Sequence, residues 1–341
     1  MMLSMETVAC DLCGSDKIER RLEQTDLLHH ITTERFTVVC CRACHLLYLN
    51  PRPSSGEVAR YYPKTYYAHA RSSVLRDALR SVLRGLVNMA AVGKRSAVVR
   101  FFANAVLFPV RVLGLGNRLP NLVVPEVNSF IDVDSPAKIL DVGCGAGQEV
   151  HVFGPRVGIA NLVKRGWEVC AVEASSRARE VLNASGIKDA FENFEEAKFP
   201  SDSFDVVRLS WSLEHVPSPT KMLNECKRVL KPGGRLIVAI PNYGGLIYKI
   251  FPTCLEVPVH TYYFTLETFK KYCEKLTLTI VDYYTFSHVP LVVEALKMMG
   301  RKDLHEHYLA HSREALRLQA FLDLAGETDM GDDMVFCLTK E

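Results

Sequence analysis

The sequence predicts an α/β chain built on a doubly wound, mostly parallel seven-stranded sheet, with a small N-terminal metal-binding module and helical additions. Three observations carry this expectation. From Lys138 onward apolar strands and helical stretches alternate, the signature of parallel strands joined by crossover helices. The first of those strands runs into Asp141 and then three glycines at alternate positions. Two Cys-x-x-Cys pairs precede them near the start.

The elements follow in order. Residues 1–53 hold the paired cysteines and end in Asn50-Pro51-Arg52-Pro53, a run hostile to helix. Residues 54–136 form a connecting or lid region. It opens with Tyr61, Tyr62, Tyr66 and Tyr67, and 71–120 then place apolar positions at mixed spacings of 3 and 4 among arginines, which predicts helix. Strands are predicted at Lys138–Val142, Trp167–Glu173, Ala190–Asn193, Phe204–Ser210 and Arg235–Ile240, with helices such as Ser176–Ala184 and Pro219–Leu230 between them. Leu278–Phe286 and Met334–Lys340 would close the sheet as an antiparallel pair, and residues 287–331 form a helical insertion within a domain spanning 137–341.

Bulk properties narrow the class. At 341 residues the chain exceeds a typical single domain. Apolar residues at 48% and charged residues at 23% suit a soluble globular protein. A net charge of only +2 disfavours a nucleic-acid partner, which normally demands a basic excess. Met1–Cys10 lacks a charged-then-apolar signal pattern. The longest apolar run, Phe101–Val110, is closed by Arg100 and Arg111, too short to span a bilayer. The expected location is therefore the cytoplasm. Peripheral membrane contact through 82–118 is the less favoured reading, and a lid or core helix pair the favoured one.

Eleven cysteines in such a compartment should not be disulfides. Cys10-x-x-Cys13 and Cys41-x-x-Cys44 are separated by 27 residues, and four thiolates give Zn²⁺ its tetrahedral shell. With no open coordination position the site is structural. Cys40 is spare and His45 the weaker ligand. His305, His307 and His311 share a helical pattern without a fitting carboxylate or cysteine, so metal is not expected there.

The most informative stretch is Ile139-Leu-Asp141-Val-Gly143-Cys-Gly145-Ala-Gly147. Glycines permit positive φ and close backbone approach to a ligand. Amides at the following helix start favour an anionic group. Glu173 ends the second strand, where a carboxylate can grip both hydroxyls of a ribose. A nicotinamide-binding loop would prefer G-x-G-x-x-G, whereas the spacing here is G-x-G-x-G after an aspartate.

With Asp141–Gly147, Glu173, Ser203-Phe-Asp205-Val-Val and Leu230-Lys-Pro-Gly-Gly234 in place, residues 137–286 resemble the class I, Rossmann-like, S-adenosylmethionine-dependent methyltransferases. The resemblance implies that S-adenosyl-L-methionine lies across the carboxyl ends of strands one to four. Asp141 would accept from its ammonium, the Gly143, Gly145 and Gly147 loop would approach its methionyl carboxylate, and Glu173 would hold its ribose. Phe194 would sit near the adenine, and Ser210 or Trp211 near the methionine part. One departure is a longer connection: Gly147 to Gly166 spans 19 residues and contains Gly154-Pro155, so the first helix starts late or the loop is reshaped.

The run Cys41-Arg-Ala-Cys44-His-Leu-Leu-Tyr-Leu-Asn-Pro-Arg-Pro53, with the tyrosine pairs after it, is similar to bacterial zinc-containing methyltransferases. That group includes nucleotide-sugar C-methyltransferases of deoxysugar and cell-surface polysaccharide pathways. Methyl transfer to a hydroxyl or an enolisable carbon requires removal of a proton. Histidine is the natural base, and His215 and His260 follow the fourth and fifth strands. Tyr66 would line the acceptor pocket by analogy. Sugar C-methyltransferases carry a Glu-His dyad where this chain has Val259-His260, which leaves O-methylation open. The expected function is methyl transfer to a small, sugar-derived acceptor, such as a nucleotide sugar. The rivals are an RNA methyltransferase, a non-catalytic scaffold of the same fold, and a small-molecule methyltransferase unrelated to sugars.

Overall fold

The computed structural model describes residues 5–63, 105–106, 130–132, 134–147, 158–310 and 312–340. Tyr66, Tyr67, most of the helical expectation over 71–120 and the stretch 148–157 lie outside the described residues.

Five short strands come first: β1 (Met5–Glu6), β2 (Ile18–Gln24), β3 (Phe36–Cys41), β4 (Leu47–Leu49) and β5 (Arg52–Pro53). The second half supplies β6 (Lys138–Val142), β7 (Glu168–Val172), β8 (Asp189–Phe191), β9 (Phe204–Ser210), β10 (Leu230–Pro241), β11 (Tyr262–Tyr263), β12 (Thr279–Phe286) and β13 (Asp333–Thr339). Seven of these form one sheet in the order β12-β13-β10-β9-β6-β7-β8. β8, β7, β6, β9 and β10 run parallel, and β13 lies antiparallel to both β10 and β12. The order of the strands therefore reverses between β6 and β9, where such sheets leave a crevice at the carboxyl ends.

The described helices are α1 (Ile159–Lys164), α2 (Ser176–Ala184), α3 (Phe194–Ala197), α4 (Pro219–Val229), α5 (Leu246–Ile250), α6 (Leu266–Lys275), α7 (Val289–Met298), α8 (Lys302–Ala310) and α9 (Ser312–Glu327). Their starts are written locally. Ser175, Asn193 and Ser218 each accept an N–H of the first turn of α2, α3 and α4, and Thr265 with Thr268 forms a capping box on α6. The predicted Arg235–Ile240 strand is longer, beginning at Leu230. Its pairing on β9 skips from Leu230–Phe204 to Arg235–Val206, so Lys231–Gly234 is a bulge inside the strand and not a loop ahead of it.

Alternate residues of each strand face opposite sides. Leu140, Val142, Val207, Leu209, Val238, Ile240 and Phe336 share one apolar cluster that also takes in Cys10, Leu12, Val39, Leu46 and Tyr48. Ile139, Ala171, Val206, Ile237 and Val335 pack on the other side with Ile159, Leu162 and Leu182. Both faces are covered, which explains the nearly continuous apolar strands. The N-terminal strands β2, β3 and β4 form an antiparallel sheet completed by β11, which lies some two hundred residues on: Tyr262 pairs with Tyr48 and Tyr263 with Leu47. β1 pairs with β5. Among the described residues, no helix is long and apolar enough to cross a membrane.

The start of β13 is pinned by Asp332, which is fully buried. Its carboxyl accepts Ile247 N at 2.7 Å and Ser287 Oγ at 2.5 Å. Burial nevertheless pushes its pKa up to about 7. A carboxyl raised in the folded state favours folding fully below the unfolded value, and that contribution fades as pH rises through 7. Asp332→Asn, which cannot ionise, should gain thermal stability relative to the parent by several degrees between pH 5 and pH 8. Melting curves that stay parallel across that range would rule out the buried proton.

Candidate active site

Strand β6 delivers Asp141 and the glycine loop to the crevice. Gly143, Gly145 and Gly147 all take left-handed φ, at +72°, +56° and +69°. At Gly143 a Cβ would lie 2.4 Å from the Cβ of Ser212, so only glycine fits between the loop and the end of β9. Gly143 N donates to Val172 O at 2.7 Å, and Ser212 Oγ donates to Val142 O at 2.8 Å. After the loop, the next described helix is α1, beginning at Ile159.

Glu173 follows β7 and is 7% exposed. Its two carboxylate oxygens accept Gly145 N and Ser175 N, each at 2.8 Å. The acidic group thus already faces the glycine loop. Asp141 is paired in register with Arg208 on β9, and Arg208 Nη2 donates to Asp141 Oδ2 at 2.5 Å. Both are nearly fully buried. This ion pair is absent from the sequence reading, because nothing local relates two positions 67 residues apart. Asp141 Oδ1 and Ser210 Oγ remain buried without hydrogen-bond partners among the described residues. Orphaned buried polar atoms are costly, and these two sit at the carboxyl edges of the two strands that flank the reversal. The donor set fits a ligand with an ammonium, a carboxylate and a ribose. Phe194 is buried in α3 against Phe199, edge to face at 6.4 Å.

The two histidines converge. Leu213–His215 is a single 3₁₀ turn after β9, and the His215 and His260 rings meet edge to face at 4.5 Å. His215 Nδ1 lies 2.9 Å from Val259 O and 2.9 Å from Tyr62 Oη. A carbonyl only accepts, so the hydrogen sits on Nδ1 and the lone pair on Nε2. His260 Nδ1 lies 2.7 Å from Tyr243 Oη, and its Nε2 is 3.5 Å from Glu256. Burial, reinforced for His215 by its histidine neighbour, lowers both imidazoles to about 3. Both rings are neutral at pH 7.

Two carboxyls complete the cluster. Glu214 is fully buried, 3.9 Å from His215 Nε2, and neither oxygen has a hydrogen-bond partner among the described residues. Burial raises it well above the carboxylate range. Glu256 is pushed up to about 7, also by burial. The candidate residues named from the sequence include neither Glu214, Glu256 nor Tyr243. The i, i+4 relation of Glu256 to His260 was the available signal. Glu214, His215 and His260 bring a carboxylate and two imidazoles within 4.8 Å of one another.

The four cysteines are likewise gathered, with all four sulfurs within 4.8 Å and the Cys10–Cys44 and Cys13–Cys41 pairs at 3.4 Å. Zinc–sulfur bonds of about 2.3 Å at tetrahedral angles demand sulfurs roughly 4 Å apart. Cys40 and His45 stay outside the group. At Cys41 burial opposes ionisation, but the N–H groups of Cys44 and Ala43 outweigh it and leave the thiol at about 7. The set fits a structural zinc. Purified protein should release about one zinc per chain, and chelation should lower its melting temperature by several degrees. Zinc-free protein that melts unchanged would sink this assignment.

The comparisons with known proteins agree with this geometry. A family model described as a methyltransferase domain matches residues 118–283. A ubiquinone biosynthesis O-methyltransferase of Xanthomonas oryzae pv. oryzae is 30% identical over 113 residues, covering 31% of this chain and 44% of that protein. A ubiquinone/menaquinone biosynthesis C-methyltransferase of Methylococcus capsulatus is 35% identical over 113 residues, with the same two coverages of 31% and 44%. A ubiquinone biosynthesis O-methyltransferase of an Azoarcus species is 27% identical over 195 residues, covering 52% of this chain and 78% of that protein. The chain thus spans less than half the length of the first two relatives. Glycine loop, acidic strand end, sheet order and family match together make residues 118–283 a class I S-adenosylmethionine-dependent methyltransferase domain.

Proposed function

We propose that the chain transfers a methyl group from S-adenosylmethionine to a small, sugar-derived acceptor, at a hydroxyl or an enolisable carbon. The observation that carries this reading is the proton-handling cluster of His215, His260, Glu214 and Glu256 beside the carboxyl end of β9. Methyl transfer to such an atom leaves a proton to be removed.

Each residue has a distinct part. Asp141 Oδ1 would accept from the cofactor's ammonium, while Arg208 balances the remaining charge. Glu173 would hold the ribose hydroxyls, and the glycine loop would admit the methionyl carboxylate. Phe194 would flank the adenine and the Ser210 hydroxyl the methionine part. The bound cofactor supplies an electrophilic methyl on a sulfonium. His215 offers its Nε2 lone pair as base, held in that tautomer by the Val259 carbonyl. Glu214, beside that nitrogen, stabilises the imidazolium once the proton has arrived. His260 is oriented by Tyr243 and Glu256.

Glu256 bears on the acceptor. The sugar C-methyltransferases' Glu-His dyad is interrupted here by Val259, but Glu256 brings a carboxyl group to His260 from four residues earlier, across a turn. That supports a carbon or hydroxyl on a sugar ring equally. Tyr62, half-buried and in contact with His215, offers a ring of the kind that packs on pyranoses. The relatives named as ubiquinone biosynthesis enzymes make a phenolic acceptor the comparison to run. Localisation in the cytoplasm, where nucleotide sugars are made, completes the proposal.

Glu173→Ala should weaken S-adenosylhomocysteine binding at least about tenfold by calorimetry, or about 1.4 kcal/mol. Unchanged affinity would mean the cofactor lies elsewhere. Methyl transfer from labelled cofactor should appear on a nucleotide sugar in a panel containing phenols and RNA, and fall about 10²-fold or more in His215→Ala with cofactor affinity preserved. Transfer to RNA or phenols alone would overturn the sugar assignment, and cofactor binding without transfer to any class would favour a scaffold.

A further inference from the structure

The four-cysteine unit reaches the catalytic edge through one side chain that none of the roles above uses. Asp11 stands between Cys10 and Cys13. Its carboxylate accepts Ser218 Oγ at 2.5 Å, Thr220 Oγ1 at 2.7 Å, Thr220 N at 2.8 Å and Tyr272 Oη at 2.9 Å. Its carbonyl faces Lys275 Nζ at 3.1 Å. Ser218 is the N-cap of α4, and Thr220 lies in the first turn. A carboxylate here satisfies an N–H that the helix leaves unpaired and meets the positive end of its dipole. Asp11 is thus a second cap on α4, supplied from another part of the chain.

The segment immediately ahead of α4 carries Glu214 and His215. Its other ties lead the same way. Arg52 Nη1 donates to Tyr262 Oη at 2.9 Å, and that hydroxyl donates to Pro217 O at 3.1 Å. Leu49 N donates to Thr261 O, and Thr261 N to Glu214 O at 2.9 Å. The His215 turn is therefore held by the N-terminal sheet and by Asp11. The cofactor half is not: Gly143 and Gly145 bond to Val172 and Glu173.

We propose that Asp11 is a positioning residue: with its cysteines fixed by metal, the Cys10–Cys13 knuckle holds Asp11 on α4 and so sets Glu214 and His215 against His260. Loading the four-cysteine site then builds the acceptor half of the active site and leaves the cofactor half alone. The catalytic consequence rests on the reading of His215 given above, but the positioning itself does not. Without metal, the bonds inside the knuckle are two short backbone ties, Cys10 N to Ser15 O and Gly14 N to Cys10 O. It would carry Asp11 away from four donors at once.

The test compares the full zinc-loaded chain with Asp11→Asn and with Thr220→Val, which removes one donor and leaves the knuckle intact. Asp11→Asn should keep its zinc and its S-adenosylhomocysteine affinity within about twofold. Amides of 213–223 should lose about tenfold in hydrogen-exchange protection, with those of 139–147 unchanged. The ring Nδ1–H resonance of His215, assigned by its loss in His215→Gln, should broaden or shift. Thr220→Val should give the same pattern more weakly, and chelated wild type the same pattern in full. Unaltered exchange over 213–223 and an unaltered His215 signal in Asp11→Asn would overturn the proposal, as would equal loss of protection across both halves. Should Asp11→Asn not fold, the same two readouts in Thr220→Val and in chelated wild type decide it. The expected loss of protection over 213–223 in Asp11→Asn, alongside a fully active His215→Ala, would fault the base assignment and leave the positioning role standing.

Discussion

The chemistry of this chain depends on the gap that opens where the strand order reverses between β6 and β9. Two crossover connections leave that point in opposite directions, so the carboxyl ends of both strands stay uncovered by their own helices. Everything placed there must tolerate burial. Asp141 and Arg208 do so by pairing across the two strands. Removing two charges from water costs several kcal/mol each, recovered only with good geometry and further hydrogen bonds. Among the described residues, one aspartate oxygen has no such bond. The fold therefore carries an unmet demand at the position where a cationic group of the ligand would supply the missing donor.

The second half of the site comes from elsewhere in the chain. The N-terminal sheet is closed by β11, and His260 stands two residues ahead of that strand. Backbone bonds pass from Leu49 to Thr261 and from Thr261 to Glu214. The metal unit and the parallel sheet also share one apolar cluster. This construction divides labour. The parallel sheet presents the cofactor cradle, whose glycine loop and acidic strand end follow one another in sequence. The junction with the N-terminal sheet presents the histidines, whose surroundings are drawn from four separate segments: Tyr62, Glu214–His215, Tyr243 and Glu256–His260.

That division explains what the sequence reveals. The glycine loop was legible because positive φ selects glycine and because strand, loop and acidic strand end follow one another closely. The cysteine pairs were legible because tetrahedral thiolate binding imposes a recognisable spacing. The core strands were legible because both their faces are buried. Arg208, Tyr243 and Asp11 were not, for a common reason. Each acts through a partner reached by tertiary folding: Asp11 meets Thr220 across 209 positions and Tyr272 across 261. No periodicity encodes such contacts. Val259 misled in the same way. A dyad expected at adjacent positions is assembled from Glu256, one turn away, because the Glu256–His260 segment closes a backbone bond from His260 N to Glu256 O.

The protonation pattern ties the two halves together. A ligand bearing a sulfonium and an ammonium is cationic, and a pair of imidazolium rings beside it would oppose its entry. Burial prevents this by holding His215 and His260 far below their ordinary titration range. The same burial holds Glu214 and Glu256 above theirs. The cluster therefore approaches neutrality at physiological pH, with protons resident on carboxyls and a lone pair left on His215. A base of such low basicity is weak in isolation. It strengthens as the neighbouring carboxyl ionises, because a carboxylate 3.9 Å from Nε2 favours the protonated ring in a low-dielectric site. With His215 in the proposed role of base, proton removal from the acceptor would be coupled to the charge state of Glu214, and the distance between those two side chains would govern how strong that coupling is.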